Sequence, residues 1–590
     1  MLPKGIFAIG SVEPGAAERE VEAIRERLSE EESVEYRVSH DRRCILGVVR
    51  SDLYPYPAIL SSNEDEHSIG VFDGFTFEGS FLEHEPHRLC SMETDAVSAA
   101  ANGMFLAASY RDGELHVLTD PWATLPLYYS ANGDGVFFSS SLSVINDLTD
   151  QNTDIFADGG GISQLLSFGV ILDGSTLFPD VKRIGRATRL SLRFVGARWT
   201  ETAELYYEPE IAASVYPGIE EDIVSSFSRA VESIHHRTEG MLISAISGGM
   251  DSRCIVAALH AQNANVPLVT HYTREGHDLT IASRIATRLG FPHHTYRIET
   301  SQFLDREEET LVRLSNGMVF FDNLHVPQVY RFYRKLGTWM LDGNHTFIEG
   351  RIFLRNATVR IRTRDDMFRE IRAVLSKMSV LSYVHDAEQH RSHAEEILWE
   401  RTPDPRQHGS PGSAADIFHV RHILPQHGSD ASALHNHYLR YTSPYFDRRY
   451  VETVSRLPDL ERWKQRPQHT IVQNLAPVLR GVPRCYSDIL TWPTDNPWLL
   501  RIPVAMEYGC RKLKLHRRPW LFRHLTRYSP TVKYSLDINT EKLLARAEGT
   551  VFDTDKLRAA INTTGVPDAA LSRILPLLSS HSPWNEQPSH

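Results

Sequence analysis

The chain has 590 residues, 41% of them hydrophobic and 23% charged, and its formal net charge is −12. This length predicts several domains, because a single hydrophobic core stops growing well below it. The negative charge gives the molecule as a whole no electrostatic reason to bind nucleic acid. The five cysteines form no C-x-x-C pair, which argues against zinc, iron–sulfur or redox chemistry. No apolar stretch approaches the roughly 20 residues that span a bilayer, so we expect a cytoplasmic protein.

The first part of the chain is dominated by short strand-like segments separated by turns. An apolar run at residues 5–10 is followed by a helical pattern, and later runs are rich in β-branched and aromatic residues. These later runs are residues 44–49, 67–72, 104–110, 115–118 and 136–139. Many strands with few helices predict a β-rich first domain.

The second part alternates strands with helices. Apolar residues recur every three or four positions over 219–234, which predicts an amphipathic helix. The expected strands that follow are 241–246, 266–272, 294–298 and 338–341, and the expected helices between them are 252–261 and 278–289. This alternation predicts a parallel sheet covered on both faces. Ligands of such sheets bind at the carboxyl ends of the strands, where Ser247 lies.

One loop combines the features of a phosphate site. The strand at 241–246 breaks at Ser247-Gly248-Gly249, and a helix restarts near Ser252. The glycines let the backbone approach an anion closely, while the N–H groups, the serine hydroxyls and the helix dipole attract it. A carboxylate at Asp251 is reasonable there mainly if it holds a Mg²⁺ that also binds phosphate oxygens. A plain capped turn is the alternative interpretation.

The spacing S-G-G-x-D-S resembles the pyrophosphate-binding loop of the asparagine synthetase family and of the related N-type ATP pyrophosphatases. Further segments resemble the same family, at residues 120–129, 137–142 and 441–447. The resemblance implies an α/β fold class, with an N-terminal Ntn-hydrolase-like β-rich sandwich and a parallel-sheet α/β PP-loop synthetase domain with a helical C-terminal extension. The implied domains are residues 1–205, 206–500 and 501–590.

The resemblance also implies the ligands and their sites. ATP would bind through the pyrophosphate loop and Mg²⁺ through Asp251. Further cofactor contacts would come from Ile246, His271 and Gly343, the first two matching positions whose backbone contacts adenine. The family completes its metal site with a D-E pair, but this chain has Phe347-Ile348 there. Asp342 would supply the second carboxylate, with Glu349 as the alternative. The other interpretation of this segment is a surface turn whose acidic residues bind no metal.

A second departure concerns the cation that stabilises the adenylate. The family carries K-x-x-L-R where this chain has residues 469–473, so His469 replaces the lysine and Gln473 the arginine. Lys464 and Arg466 are nearby alternatives. An imidazolium would do part of the work below its ordinary pKa of about 6.5. An ordinary helix-surface histidine is the other interpretation of His469.

The glutaminase chemistry of the family is expected to be missing. Its C-G-I-F start corresponds to Lys4-Gly5-Ile6-Phe7, so a lysine stands at the nucleophile position. Asp73 replaces the asparagine that stabilises the oxyanion, and Phe75 replaces a substrate-binding glutamate. Within the family, β-lactam synthetases and lasso peptide cyclases share this loss, and their amine comes from the substrate.

The sequence therefore predicts an ATP-dependent amide-forming ligase that adenylates a carboxylate, releases pyrophosphate and AMP, and does not hydrolyse glutamine. Two alternatives stay open, a catalytically degenerate nucleotide-binding scaffold or sensor and a lasso-peptide-type macrolactam cyclase. The expected partners are a small-molecule or peptide carboxylate and an amine. The basic segment at 511–524 is a candidate surface for a protein partner, although a solvated helix face is the simpler interpretation. A homodimer is a further open alternative.

Overall fold

The structure is a computed structural model with side chains. The residues that it describes are 5–26, 28, 32–51, 58–63, 67–133, 135–149, 159–238, 241–273, 277–299, 303–314, 325–344, 361–482, 540–563, 566 and 568–579. None of the helices within these ranges is both long and apolar enough to cross a bilayer.

Twelve strands form two antiparallel six-stranded sheets, which we call the N-terminal sandwich. In chain order they are β1 Gly5–Ser11, β2 Glu32–Val38, β3 Cys44–Ser51, β4 Ile59–Ser62, β5 Ser68–Thr76, β6 Gly103–Arg111, β7 Glu114–Thr119, β8 Tyr128–Ala131, β9 Gly135–Ser139, β10 Lys182–Arg183, β11 Thr188–Val195 and β12 Arg198–Leu205. The strand orders are β10-β8-β9-β1-β3-β2 and β12-β11-β7-β6-β5-β4. Buried apolar side chains of both sheets, such as Leu46 and Leu106, meet in one core. The core therefore lies between the two layers, as in other sheet-on-sheet folds.

Five further strands form a parallel sheet. They are β13 Leu242–Ala245, β14 Leu268–Tyr272, β15 His293–Arg297, β16 Trp339–Leu341 and β17 Arg440–Thr442. Their order is β15-β14-β13-β16-β17, and every neighbouring pair is parallel. β13 is the central strand, so the loop after it opens at the middle of the carboxyl edge.

The described residues also form α-helices. The helices that come before β16 in the chain are α1 Ala16–Glu26, α2 Phe81–His84, α3 Thr94–Ala100, α4 Leu142–Thr149, α5 Gly159–Phe168, α6 Ile219–Arg237, α7 Met250–Ala261, α8 His277–Leu289, α9 Phe303–Leu314 and α10 His325–Tyr333. The later ones are α11 Arg364–Leu375, α12 Ala387–Arg401, α13 Pro411–Phe418, α14 Ser429–Asn436, α15 Arg448–Ser455, α16 Asp459–Trp463, α17 Arg466–Leu475, α18 Thr540–Ala547, α19 Thr554–Thr563 and α20 Asp568–Leu577. A π-helical stretch, His419–Gly428, joins α13 to α14.

The expected fold class is confirmed by these two architectures. Helix α6 buries Ile223, Phe227 and Val231, as its spacing indicates. The strands expected after this helix appear within a few residues of their predicted bounds. The start of the helix after β13 differs from the prediction. Helix α7 begins at Met250, two residues earlier than expected, with Gly249 as its N-cap. Asp251 and Ser252 are therefore first-turn residues of the helix.

Candidate active site at the carboxyl edge of the parallel sheet

The loop between β13 and α7 is held by its own side chains. The Ser247 amide donates to the Ser252 hydroxyl at 3.1 Å, and the Gly249 amide donates to the Ser247 hydroxyl at 3.2 Å. The two hydroxyls lie 3.1 Å apart, within hydrogen-bonding distance. The Gly248 amide donates to Asp278 Oδ1 at 2.9 Å. These four contacts hold the backbone conformation of the loop.

Asp278 was not among the residues expected at the site. Its side chain is buried, at 5% residue exposure, on the first turn of the helix after β14. A buried carboxylate requires a donor, and the Gly248 amide is one. Because this amide points away to Asp278, an anion at the loop would be bound mainly by the other N–H groups and by the hydroxyls.

Two carboxylates meet where β16 ends. Asp342 follows this strand, and the next residue, Gly343, packs directly against the first turn of α7. A Cβ placed on Gly343 would lie 2.9 Å from the Ser252 amide nitrogen and 3.1 Å from Asp251 Cβ. The loops after the two central strands therefore bring the two predicted acidic residues to one place.

The surroundings of Asp342 determine its charge. Burial raises the pKa of this carboxyl above its ordinary value, and the nearby Asp251 carboxylate adds to the increase. Hydrogen bonds from the Tyr441 hydroxyl at 3.0 Å and from the Gly343 amide at 2.6 Å act in the opposite direction. A cation between Asp251 and Asp342 would relieve their mutual repulsion.

The donor set fits Mg²⁺ that is shared with a phosphate. Among the described residues no group of three or more histidine, cysteine or acidic side chains could hold a metal ion by itself. Asp251 and Asp342 supply hard oxygen donors. Mg²⁺ commonly takes one or two carboxylates together with substrate phosphates and water. This pair is suited to that kind of ion and is incomplete without a phosphate.

An aromatic wall extends from Asp342 along the same edge of the sheet. Its members are His271, His325, Tyr330, Tyr333, His435 and Tyr441. The His271 ring nitrogen Nδ1 lies 3.0 Å from the Tyr333 hydroxyl, and the His435 ring stacks on Tyr330 at 4.8 Å between centroids. Burial lowers the pKa of His271 and of His435 to about 3, with neighbouring histidines adding to the effect. His271 and His435 are therefore neutral near pH 7.

The predicted adenine contacts lie beside this wall. Ile246 directly follows β13, where its amide donates to the Val269 carbonyl at 3.0 Å and its carbonyl accepts from the Thr270 hydroxyl at 2.6 Å. His271 is in β14, paired with Tyr296 of β15. The backbone atoms of Ile246 thus already have partners in the protein, and its carbonyl keeps a second acceptor position.

Helix α17 approaches the loop through Gln468. The side chain of Gln468 is fully buried, and its Nε2 donates to Asp251 Oδ1 at 3.2 Å. Cys254 of α7 donates through Sγ to the Gln468 carbonyl at 3.5 Å. His469 lies one position further along, which turns it by about 100° around the helix. Gln468, which the sequence analysis did not select, is thus an α17 side chain that contacts the loop.

The other two proposed cations differ in their placement. Arg466 is about half exposed, and its guanidinium binds Glu220 at 2.6 Å and Glu461 at 2.7 Å. These carboxylates raise its pKa. Lys464 is the C-cap residue of α16. Arg466 would have to leave two acidic partners before it could serve a phosphate.

The structure also describes some of the residues that the family resemblance relates to glutaminase chemistry. Gly5 starts β1, and a Cβ on it would overlap the Ser140 hydroxyl at 1.8 Å, so these two residues are tightly packed. Asp73 forms an ion pair with Arg440 at 3.0 Å. Several predicted features lie outside the described residues, namely Lys4, Phe347, Ile348, Glu349 and the basic segment 511–524.

Structures of known proteins give only weak similarity. A structure of NMN synthetase from Francisella tularensis is 15% identical, with a TM-score of 0.18 over 23% of this chain and 58% of that one. Glutamine phosphoribosylpyrophosphate amidotransferase from B. subtilis is 10% identical, with a TM-score of 0.23 over 69% and 94%. An allosteric regulatory enzyme of purine biosynthesis is 12% identical, with a TM-score of 0.23 over 62% and 78%. Scores this low support no conclusion about this chain.

Sequence comparison is more informative. A curated relative, asparagine synthetase [glutamine-hydrolyzing] 1 of Bacillus subtilis (strain 168), is 26% identical over 210 residues. The alignment covers 34% of this chain and 31% of the relative, so the chain spans about a third of the relative's length. The family model described as asparagine synthase matches residues 223–476. This segment contains the β13–α7 loop, Asp342 and α17, and it is the part of the chain that is similar to the asparagine synthase family.

Proposed function

We propose that the protein is an ATP-dependent amide-forming ligase that activates a carboxylate as an acyl-adenylate. The observation that carries the proposal is the meeting of Asp251 and Asp342 across Gly343, directly beside the Ser247–Gly249 loop. A helix N-terminus, two hydroxyls and a pair of carboxylates together suit a polyphosphate with its cation. The match of residues 223–476 to the asparagine synthase family model supports this chemistry.

The proposed site binds ATP with its phosphates at Ser247, Gly248, Gly249 and Ser252. Mg²⁺ would be held by Asp251 and Asp342 and would neutralise charge on the phosphate oxygens. Ile246 and His271 would border the adenine. Asp278 and Gln468 would orient the loop and Asp251, respectively, through the hydrogen bonds described above.

The proposed reaction has two steps. An oxygen of the substrate carboxylate attacks the α-phosphorus of ATP, the bond to the β-phosphate oxygen breaks, and pyrophosphate leaves. The nitrogen of an amine then attacks the acyl carbon, loses a proton, and AMP leaves. The first step needs a positive partner for the charge that develops at the α-phosphate. Lys464 and His469 are the candidates, and Arg466 is the weaker one because of its acidic partners.

The amine would not come from glutamine. Lys4 stands at the nucleophile position, and Asp73 uses its carboxylate to pair with Arg440 instead of supplying an amide donor. We therefore propose that the N-terminal region, residues 1–205, is a retained structural domain. Residues 206–500 would form the synthetase domain and 501–590 an extension.

A second candidate is a nucleotide-binding scaffold without ligase activity. Gln468 favours it, because this α17 side chain in contact with Asp251 is a neutral amide. Such a protein would bind Mg·ATP but would not exchange pyrophosphate. The identity of the carboxylate decides between a small-molecule ligase and a macrolactam cyclase, and a panel of both substrate classes separates them.

Calorimetry with Mg·ATP tests the site, and ATP–pyrophosphate exchange tests the chemistry. We expect the native chain to bind Mg·ATP, Asp251→Ala to lose most of the Mg²⁺ dependence, and Gly249→Val to lose binding because a branched side chain fills the space that the phosphate needs. Gly160→Ala is a matched control, since a Cβ there meets no atom within 4 Å. If Asp251→Ala and Gly249→Val bind as the native chain does, the assignment of the site is wrong. Binding without exchange for any carboxylate supports the scaffold.

A further inference from the structure

A buried ion pair joins the N-terminal sandwich to the parallel sheet. Arg440 Nη1 donates to Asp73 Oδ1 at 3.0 Å, and the two side chains are 4% and 11% exposed. Asp73 lies in β5 of the sandwich, and Arg440 is the first residue of β17. The desolvation of both groups makes the pair costly to break, because either partner alone would be a buried uncompensated charge.

A second contact from the same sandwich strand lies beside the pair. Phe75, two residues after Asp73 in β5, packs edge-on against Trp339 with the ring centroids 5.9 Å apart. Trp339 is the first residue of β16 and is directly paired with Arg440, whose guanidinium carbon lies 6.0 Å from the indole centroid. β5 therefore contacts the starting residues of both β16 and β17.

These two strands end at the proposed metal carboxylate. β16 has three residues, Trp339–Leu341, and Asp342 comes next, which at about 3.3 Å per residue is roughly 10 Å from Trp339. In β17, Tyr441 follows Arg440 and donates its hydroxyl to Asp342 Oδ2 at 3.0 Å. The Asp342 amide donates to the Thr442 carbonyl at 3.0 Å. A shift of either strand would thus move Asp342.

We infer that Asp73 and Phe75 of the sandwich are positioning residues for the metal carboxylate Asp342. They act through Arg440 and Trp339, which fix the register of β16 and β17 at the end opposite the site. The inference rests on the proposed function only in taking Asp342 as a metal ligand. It gives the N-terminal sandwich a role in the ligase site that does not require glutamine chemistry.

The test compares two interdomain ion pairs of similar burial. Asp73→Leu removes the carboxylate and keeps the number and branching of the side-chain heavy atoms, and the double variant Asp73→Leu with Arg440→Met also removes the guanidinium left without its carboxylate, which should restore folding. Arg183→Met is the control, because Arg183 pairs with Asp430 at 3.1 Å with both side chains 3% exposed, on elements that do not contain Asp342. Binding of Mn²⁺ and ATP is followed by electron paramagnetic resonance, and hydrogen exchange is measured for the 338–343 segment without ligand.

We expect Mn²⁺ to bind about tenfold more weakly in the presence of ATP in both Asp73 variants, since outer-shell partners typically control metal affinity by 10–100-fold. Exchange at the Asp342 amide should rise several-fold in the same two proteins. Arg183→Met should lose thermal stability while both readouts stay native. The inference is overturned if the double variant returns to native Mn²⁺ affinity and exchange, or if Arg183→Met changes as much as Asp73→Leu. If the native chain fails to bind Mn²⁺ with ATP, the proposed function fails, and the exchange data alone decide the positioning role.

Discussion

The substitution Gly343→Ala tests how closely β16 and α7 must approach. The added methyl carbon would lie 2.9 Å from the Ser252 amide nitrogen and 3.1 Å from Asp251 Cβ. These separations are about 0.6 and 0.4 Å shorter than the roughly 3.5 Å at which non-bonded carbon atoms rest. The nearest atom belongs to the helix backbone, so the Asp342–Gly343 loop has to move away from α7.

The movement has a calculable consequence for the site. A displacement of about half an ångström separates Asp342 from Asp251, and misplacement by 1 Å costs about 10²-fold in rate at a well-organised site. We therefore expect Mg·ATP affinity to fall about tenfold and pyrophosphate exchange to fall by 10- to 100-fold. Overpacking of this kind also costs about 1–3 kcal/mol of folding free energy.

Calorimetry, exchange kinetics and thermal unfolding measure these three quantities on one preparation. Gly160→Ala, which adds the same methyl where no atom lies within 4 Å, should match the native chain in all three. Native Mg·ATP affinity in Gly343→Ala would refute the reasoning, because it would mean that the approach of the two loops does not form the site. Loss of affinity in Gly160→Ala would show that the assay reports general stability instead.

Three further predictions concern charged groups and the proposed loss of glutaminase activity. Arg462 is fully buried and donates to Asp416, to Asp459 at 2.8 Å and to the Leu457 carbonyl at 3.1 Å. Arg462→Met should therefore lower the free energy of unfolding in urea by about 3–5 kcal/mol. The control Arg406→Met, at an exposed arginine, should change it very little. His435 has a pKa of about 3 in the folded chain and about 6.5 when unfolded, so its titration leaves stability unchanged above pH 6.5 and lowers it progressively as pH falls from 6.5 toward 3, because only the unfolded chain then binds the proton. Between pH 3 and 6.5, His435→Phe should reduce the slope of the unfolding free energy against pH by about 1.4 kcal/mol per pH unit. An unchanged slope would show that the fold does not keep the His435 ring neutral. Incubation with glutamine should release no ammonia above a buffer control, and a signal that disappears on substitution of Asp73 would contradict the proposed loss of glutaminase activity.

Local motifs were predictable from the sequence, whereas long-range contacts were not. The Ser247–Ser252 loop and the alternating elements are specified by short stretches, because strand, glycine turn and helix start follow one another directly. Gln468 was missed because its contact with Asp251 joins residues 217 positions apart. Cys254 of α7 donates to the Gln468 backbone carbonyl, and a pattern of apolar spacing does not contain such a contact between helices.

The aromatic wall and the interdomain ion pair show the same limit. His271, Tyr330 and His435 are contributed by separate elements, and their stacking depends on how β14, α10 and α14 meet. Asp73 was recognised only as the loss of an oxyanion donor. That its carboxylate instead holds Arg440, 367 positions along the chain, follows from the docking of β5 onto the parallel sheet and from no local signal.

The last prediction separates metal binding from folding at Asp342. Replacing it by asparagine removes the repulsion with Asp251, but the amide has one acceptor oxygen for the two donors, Tyr441 and Gly343, that the carboxylate serves. The gain and the loss are of similar size, so the stability of the ligand-free protein should change by less than about 1 kcal/mol. With Mg·ATP at about 100 times its Kd, the native chain should gain about 2.7 kcal/mol, and a tenfold weaker variant about 1.4 kcal/mol. Equal gains in Asp342→Asn and the native chain would mean that Asp342 does not hold the cation. An unequal gain with ATP and EDTA as well would mean that it acts on the nucleotide alone.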